Sequence, residues 1–314
     1  MANYDAGKLI KESRKQKGIS QEELAAGLMD RAHLSRIENG TITPNKKTLE
    51  PILERLGINP YHTDFFLSEK MTNYQQHIDS LNSYLADQRT GEADSIINRL
   101  ENDADFSEHK LNQQYLLCAK ACNYANENAN PEDILALLDK AYKISNEKFG
   151  EQKVKEYNCM TSNELFAINL YAAIYFRQNK LEKAIETMLA LTYIFDKNCI
   201  DKFERGRKYP LLVYNLTKYL NAAKRYDEVI EFCNQGVNTC IETGFLDTLP
   251  LILFNKAFCL DALGDKTLSK EYLNQIYITF DMFRLYKHKE IVKECLSGEK
   301  NFDTASLPEK TWSK

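Results

Sequence analysis

The residues whose side chains are best suited to bind a partner lie in a short charged segment near the start of the chain. Its polar side chains fall on one side of a predicted short helix: Arg31, His33, Ser35 and Arg36. Leu34 and Ile37 fall on the other side and predict a buried face. An arginine guanidinium offers paired donors that match the O6 and N7 acceptors of guanine. The segment from Ile19 to Gly40 therefore predicts a DNA-reading unit of two short helices.

Capping residues predict where these two helices begin and end. Ser20 and Glu23 have the Ser-x-x-Glu spacing of a capping box, so the first helix should begin directly after Ser20. Asp30 is placed to cap the second helix. Asn39 and Gly40 tolerate the left-handed backbone that ends a helix. The sequence thus predicts a compact helix, a turn and a second helix that presents the arginines.

The same segment resembles the helix-turn-helix of the lambda-repressor/Cro class, the XRE family, over about residues 4–67. The resemblance is carried by two motifs, which are Gly18, Ser20, Gln21, Leu24 and Ala25, followed by Ser35, Arg36, Ile37, Glu38 and Gly40. It implies that the second helix enters the major groove with its N-terminal residues at base edges.

That resemblance assigns a role to most polar residues of the unit. The implied base readers are Arg31, Ala32 and Arg36. The implied phosphate contacts are Ser20, Gln21 and His33, and Ser35 lies on the same outer face. Arg14 would pair with Glu38 and hold the first helix of the domain against the recognition helix.

Beyond residue 70 the sequence predicts helices only, since apolar-periodic segments follow one another with short breaks. The breaks recur every roughly 40 to 50 residues, which is typical of an array of helical hairpins. They lie near Thr90, Asn128, Asn179, Lys224 and Gly264. The unit Asn163 to Asn198 resembles a tetratricopeptide repeat, with Ala172, Tyr175 and Ala184 in its packing positions. The predicted fold class is all-α, an N-terminal lambda-repressor-like helix-turn-helix domain followed by a tetratricopeptide-like α-solenoid of about five helix pairs.

A stack of such pairs curves, and its first helices line a groove that in this class holds an extended peptide. Asn169, Asn215 and Asn255 recur 46 and 40 residues apart on three predicted first helices. An Asn carboxamide is both donor and acceptor and can bracket a peptide unit, although solvated helix positions give the same pattern. Four more residues lie on nearby helical turns and could form apolar pockets for the peptide or bind its carboxylate: Arg177, Tyr214, Lys218 and Phe254. The alternative is that they are ordinary core or surface residues.

Nearly the whole chain resembles the peptide-pheromone receptors of Gram-positive bacteria, the PlcR, Rgg, NprR and Rap group (the RRNPP family). The resemblance implies a homodimer on an inverted-repeat DNA operator, regulated in quorum sensing by a short signalling peptide in the repeat domain. Predicted boundaries are 1–67 for the helix-turn-helix domain, 68–78 for a connector, 79–298 for the peptide-binding repeat domain and 299–314 for a tail. An alternative is a repeat adaptor that binds a protein, with the helix-turn-helix as a tether or dimerisation element.

Composition narrows the remaining classes. The chain has 314 residues, 43% of them hydrophobic, and a formal net charge of −4, which suits two folded domains. With no 18-residue apolar run and no signal-peptide pattern, we expect a cytoplasmic protein without a membrane partner. The eight cysteines lack zinc-ligand spacing, and the Gly-rich phosphate loop and His-Glu-x-x-His motifs are absent. We therefore expect no metal, no cofactor and no enzymatic activity.

Overall fold

The computed structural model describes residues 6–25, 28–42, 44, 48–49, 52–53, 56, 69–108, 110–145, 162–197, 202–282 and 286–297. Its contacts divide the chain into two compact units, Met1–Leu81 and Asn82–Lys314. Every regular element within these described ranges is a helix, which confirms the all-α fold class. The predicted tail, 299–314, and residues 57–68 lie outside the described residues, and the predicted connector, 68–78, overlaps the helix that begins at Glu69.

Before Glu69, the described residues of the first unit form three short helices, α1 (Ala6–Gln16), α2 (Gln21–Ala25) and α3 (Arg31–Glu38). They surround a small apolar core whose members are Leu9, Ile10, Leu24, Ala25, Leu34, Ile37, Ile52, Leu53 and Leu56. Leu34 and Ile37 are completely buried, as the periodicity predicts. The inward face of α3 is thereby fixed, and its opposite face is left on the surface.

From Glu69 onward the described residues form a succession of helix pairs, of which residues 69–81 are counted with the first unit and the rest with the second. The pairs are α4 (Glu69–Ala86) with α5 (Thr90–Asn102), α7 (Lys110–Asn126) with α8 (Pro131–Ser145), α9 (Ser162–Arg177) with α10 (Leu181–Lys197), α11 (Lys202–Ala222) with α12 (Tyr226–Thr243), and α13 (Leu249–Ala262) with α14 (Lys266–Met282). A single-turn helix, α6 (Ala104–Ser107), precedes the second pair, and α15 (Tyr286–Ser297) packs against α14. The part of the chain that the structure describes thus contains five pairs, the number that the sequence predicts.

The turn inside each pair is built in the same way five times. One residue adopts left-handed backbone, with φ between +56° and +92°: Gln88, Asn128, Asn179, Lys224 or Gly264. The next residue donates its N–H to the carbonyl five positions back at 2.8 to 2.9 Å. This bond satisfies a carbonyl that the helix end leaves without a partner. The predicted breaks therefore coincide with these hairpin turns.

The first helices of the central pairs are buried on all sides. In α9 every residue from 163 to 175 is buried, and in α11 every residue from 209 to 221 is buried. Among the first helices of the pairs, α7 packs directly on α9, and α11 packs directly on α13, whereas α9 and α11 approach each other less closely. Side chains fill the wider gap between α9 and α11, which we call the α9/α11 seam.

Candidate functional sites

The recognition helix α3 is fixed at both ends by its caps. Asp30 Oδ1 accepts a hydrogen bond from the backbone N–H of His33 at 2.7 Å, and Gly40 takes a left-handed φ of 71° beyond the last turn. Before it, Ser20 N donates to Glu23 Oε2 at 2.8 Å, and Glu23 N donates to Ser20 Oγ at 3.1 Å. The predicted capping box and N-cap are confirmed. The bonds from the Ser20 backbone and hydroxyl lower the pKa of Glu23.

The outer surface of α3 carries the predicted base readers, Arg31, Ala32 and Arg36, which are exposed. His33 and Ser35 are half-buried beside them. Of the predicted phosphate contacts on the preceding helix, Ser20 is exposed and Gln21 is half-buried. The three exposed residues of α3 define what we call the reading face. Its two guanidinium groups are placed for contact with a partner outside the unit, because the apolar side of α3 is in the core.

A buried ion pair holds α3 against α1. Arg14 Nε donates to Glu38 Oε1 at 2.6 Å, and Arg14 Nη2 donates to Glu38 Oε2 at 2.8 Å. Gln21 Nε2 adds a third donor to Glu38 at 2.8 Å. Burial of the carboxyl opposes its ionisation, but the hydrogen bonds from Arg14 and Gln21 lower the pKa of Glu38 overall. The predicted pairing of Arg14 with Glu38 is confirmed, and we call these three residues the brace.

Two of the three recurrent asparagines meet in the α9/α11 seam. Asn215 Nδ2 on α11 donates to Asn169 Oδ1 on α9 at 3.0 Å, and both side chains are buried. Further along the seam, Phe176 stacks on Tyr219 with 4.7 Å between ring centroids. Lys218, only 4% exposed, places Nζ 5.6 Å from the centre of the Phe176 ring. The seam is therefore a mixed polar and aromatic contact between two first helices.

The third asparagine bridges α11 and α13. Asn255 Nδ2 donates to the Tyr214 carbonyl at 2.8 Å and to Thr217 Oγ1 at 2.9 Å. Asn221 Nδ2 donates to the Asn255 carbonyl at 3.0 Å. The side-chain oxygens of Asn221 and Asn255 are buried and find no hydrogen-bond partner among the residues that the structure describes. Sequence reasoning missed Asn221, although an Asn inside the apolar run of α11 was a usable signal.

The remaining predicted peptide residues are dispersed. Arg177, at the end of α9, donates through Nη1 to the Ala125 carbonyl of α7 at 2.6 Å. Tyr214 and Phe254 have no exposed surface and belong to the core. The structure therefore brings Asn169 together with Asn215, and joins Asn255 to the backbone of Tyr214. Contact of any of these residues with a peptide stays a prediction.

The structure shows no group of three or more His, Cys, Asp or Glu side chains arranged to hold a metal ion in the part of the chain that it describes. Within the same ranges, no helix combines the length and apolarity that crossing a membrane requires.

Part of the first unit matches a known type of domain. Residues 10–62 match the family model described as Helix-turn-helix, so the predicted type of domain is confirmed. A curated relative, the ImmF control region 10 kDa protein of Bacillus phage phi105, is 51% identical over 56 residues. The match covers 17% of this chain and 62% of the length of that relative. This chain therefore spans less than two thirds of the length of that relative.

Solved structures match the chain along most of its length. PlcR of Bacillus thuringiensis, in complex with the peptide PapR7 and DNA, is 20% identical, with a TM-score of 0.66 over 92% of this chain and 99% of that one. The SHP pheromone receptor Rgg2 of Streptococcus dysgalactiae is 13% identical, with a TM-score of 0.59 over 94% of this chain and 100% of that one. The predicted resemblance is confirmed as a shared fold, a helix-turn-helix followed by a helical repeat domain.

Proposed function

We propose that this chain, a helix-turn-helix protein with the fold of PlcR and Rgg2, is a DNA-binding transcriptional regulator controlled by a short signalling peptide. The observation that carries the first half of the proposal is the reading face of α3, exposed and held by the buried brace within a domain of the helix-turn-helix family. Two exposed arginines backed by a rigid ion pair suit base recognition. The protein would act in the cytoplasm as a homodimer on an inverted-repeat operator.

On DNA, the residues of the reading face would contact bases and the residues that border it would contact phosphates. With α3 in the major groove, Arg31 and Arg36 contact base edges and Ala32 offers an apolar contact to a thymine methyl. Ser20 and His33 border this face and reach phosphates. Gln21 uses one hydrogen of Nε2 on Glu38, and the second hydrogen of that group donates outward. The brace thereby orients a phosphate contact as well as α3.

The second half of the proposal concerns peptide control. PlcR, which shares the fold, was solved with a peptide and DNA. In this chain the asparagines of α9, α11 and α13 are buried in the seams between first helices, so a peptide unit must replace some of their present hydrogen bonds. The unpaired oxygens of Asn221 and Asn255 favour such a ligand, because an unsatisfied buried acceptor costs about 1–3 kcal/mol. A peptide that binds one arrangement of the seams more tightly shifts the protein toward it.

The DNA half is tested by crosslinking and precipitation of bound DNA in the source cells. The variant combines Arg31→Ala with Arg36→Ala, and the control is Arg99→Ala, an exposed arginine of α5. We expect discrete palindromic sites for the unaltered protein and the control. The double variant should lose them, since each base contact is worth about 1–3 kcal/mol. Retention of the same sites by the double variant would refute the reading face, and absence of sites for all three proteins would favour the adaptor alternative.

The peptide half is tested with a pool of synthetic heptapeptides mixed with the full-length protein. Bound peptides are separated by ultrafiltration and identified by mass spectrometry. We expect Asn215→Ala combined with Asn255→Ala to reduce retention of the enriched peptides. The control, Asn274→Ala, changes an exposed asparagine of α14 and should retain them. Equal retention by all three folded proteins would show that these asparagines do not hold the peptide.

A further inference from the structure

The three residues of the reading face are not equally placed on α3. A helix turns by about 100° per residue, so its buried residues lie on one side of the axis: Leu34, Ile37 and Glu38. Ala32 and Arg36 lie within about 30° of the opposite direction, whereas Arg31 lies about 110° from it, at the margin of the face. Ala32 and Arg36 therefore form the part of α3 that points straight away from the core.

A hydrogen bond within α3 ties the Arg36 side chain to Ala32. Arg36 Nε donates to the Ala32 carbonyl, one helical turn earlier, at 3.4 Å. This bond brings the guanidinium group back toward the start of the helix, close to the Ala32 methyl group. Nη1 and Nη2 of Arg36 donate to no residue in the part of the chain that the structure describes. They form the end of a planar fork of donors that is available to a ligand.

These two side chains suit different bases in the major groove. The parallel N–H groups of an arginine match the O6 and N7 acceptors of guanine, which no other base presents as a pair. Thymine is the only base with an apolar group in this groove, its C5 methyl. The Ala32 side chain is a methyl group and gains free energy only by covering apolar surface. Arg36 thus favours guanine, and Ala32 favours thymine.

The separation of the two side chains decides how far apart these bases lie. Residues four apart on a helix, as Ala32 and Arg36 are, have Cβ atoms about 5–6 Å apart. The bond from Arg36 to the Ala32 carbonyl shortens the separation of the contacting groups below this value. Neighbouring base pairs are stacked about 3.4 Å apart, and next-nearest pairs about 6.8 Å apart. The shortened separation fits neighbouring pairs.

We propose that Ala32 and Arg36 read a thymine and a guanine on neighbouring base pairs in each half of the operator, an inference that rests on the proposed DNA binding. Nη1 and Nη2 of Arg36 donate to guanine O6 and N7, while Nε keeps its bond to the Ala32 carbonyl. The thymine methyl packs against the Ala32 methyl. Because the bond joins the two side chains into one unit, the two bases are specified together.

The test uses base analogues that remove single groups from the DNA. The probes are the sites recovered by crosslinking, with deoxyuridine at one thymine or 7-deazaguanine at one guanine of a half-site. Deoxyuridine lacks the methyl group, and 7-deazaguanine lacks the N7 acceptor. Affinity is measured by gel mobility shift at low salt, in extracts of source cells that express the full-length protein. We expect about fourfold weaker binding when the contacted thymine is replaced, the loss of one buried methyl group. Replacement of the contacted guanine should weaken binding about tenfold, the loss of one charge-assisted bond.

Variants assign each effect to its side chain. Arg36→Lys keeps the charge but loses the fork, so it should bind the 7-deazaguanine probe as well as the unmodified one. Ala32→Gly removes the methyl group and should bind the deoxyuridine probe as well as the unmodified one. Arg31→Lys, at the margin of the same face, is the matched control and should keep both effects. Phosphate contacts at low salt keep the weakened variants bound.

The outcomes separate this paired reading from DNA binding in general. The guanine whose effect Arg36→Lys removes and the thymine whose effect Ala32→Gly removes should lie on neighbouring base pairs. If they lie two or more base pairs apart, or if either variant keeps its effect, the paired reading is refuted while DNA binding stands. If crosslinking recovers no sites, both proposals fail.

Discussion

Glu38→Ala should destabilise the N-terminal unit far more than a typical surface mutation does. The Glu38 side chain is fully buried and that of Arg14 is 12% exposed. Removing one member of a buried pair costs about 3–5 kcal/mol, because the other charge is left without compensation. Arg14 keeps its 2.9 Å bond to the Ile19 carbonyl, so we expect a loss of about 3 kcal/mol, the lower end of that range. A unit of about 80 residues has a total stability of only roughly 4–12 kcal/mol.

The measurement is hydrogen exchange with mass spectrometry in rising urea, which reports the two units separately. Peptides from residues 6–38 should lose protection at lower urea in Glu38→Ala, while those from α11 to α14 should be unchanged. Replacing both partners, with Arg14→Met and Glu38→Leu, should recover much of the loss, since no buried charge then remains. Glu228→Ala, which breaks the half-exposed pair with Arg225 in the other unit, is the control and should have little effect. A loss below about 1 kcal/mol, the range of surface pairs, or a double variant that is additive would refute the reasoning.

Three further predictions concern pH, packing and thiol reactivity. The pKa of Glu38 is lower in the folded protein than in the unfolded chain, where it is about 4.3. The ionised carboxylate therefore contributes fully to stability above the unfolded pKa, and this contribution is lost as the pH falls through the folded pKa. The urea midpoint of Glu38→Gln should accordingly depend less on pH below 5 than that of the unaltered protein. Gly236→Ala should lower the melting temperature, because the added Cβ would lie 2.8 Å from Val213 Cγ1 and overpacking costs about 1–3 kcal/mol. The control, Gly91→Ala, adds a Cβ that meets nothing within 4 Å and should raise the melting temperature slightly. Equal changes in melting temperature for the two variants would contradict the close packing at Gly236. Burial raises the pKa of the Cys118 thiol, and that of Cys233 to about 12, so peptide mapping after iodoacetamide at pH 8 should find both unmodified in the folded protein.

The helix-turn-helix was predictable in detail because its signals are local. The capping box at Ser20 and the N-cap at Asp30 each need partners only three residues away, and such short-range chemistry is legible in a sequence. The hairpin turns were predictable for the same reason. The partnership of Arg14 with Glu38 spans 24 residues, and it was predicted only through the resemblance to a known class of domain.

The seams could not be predicted because their helices have no polar side. In an amphipathic helix, the 3.6-residue period of apolar residues indicates which face is buried. The central parts of α9 and α11 are buried on all sides, so this period does not indicate which neighbour each side chain contacts. The carboxamide of Asn215 bonds with one that is 46 residues away. An Asn forms such a bond with a neighbouring helix as readily as with a ligand. The recurrence of asparagine in the sequence therefore identified the first helices of the pairs but not the hydrogen bonds that join them.

The succession of helix pairs also determines how the repeat unit acquires its structure. Each described helix from α7 onward packs against elements close to it in the chain, so most native contacts close short loops, and chains of low contact order fold fast. In a linear array, order spreads from one hairpin to the next and fraying starts at an end. The helix α15, held through α14, should be the first of these elements to open, before the central pairs that contain the α9/α11 seam.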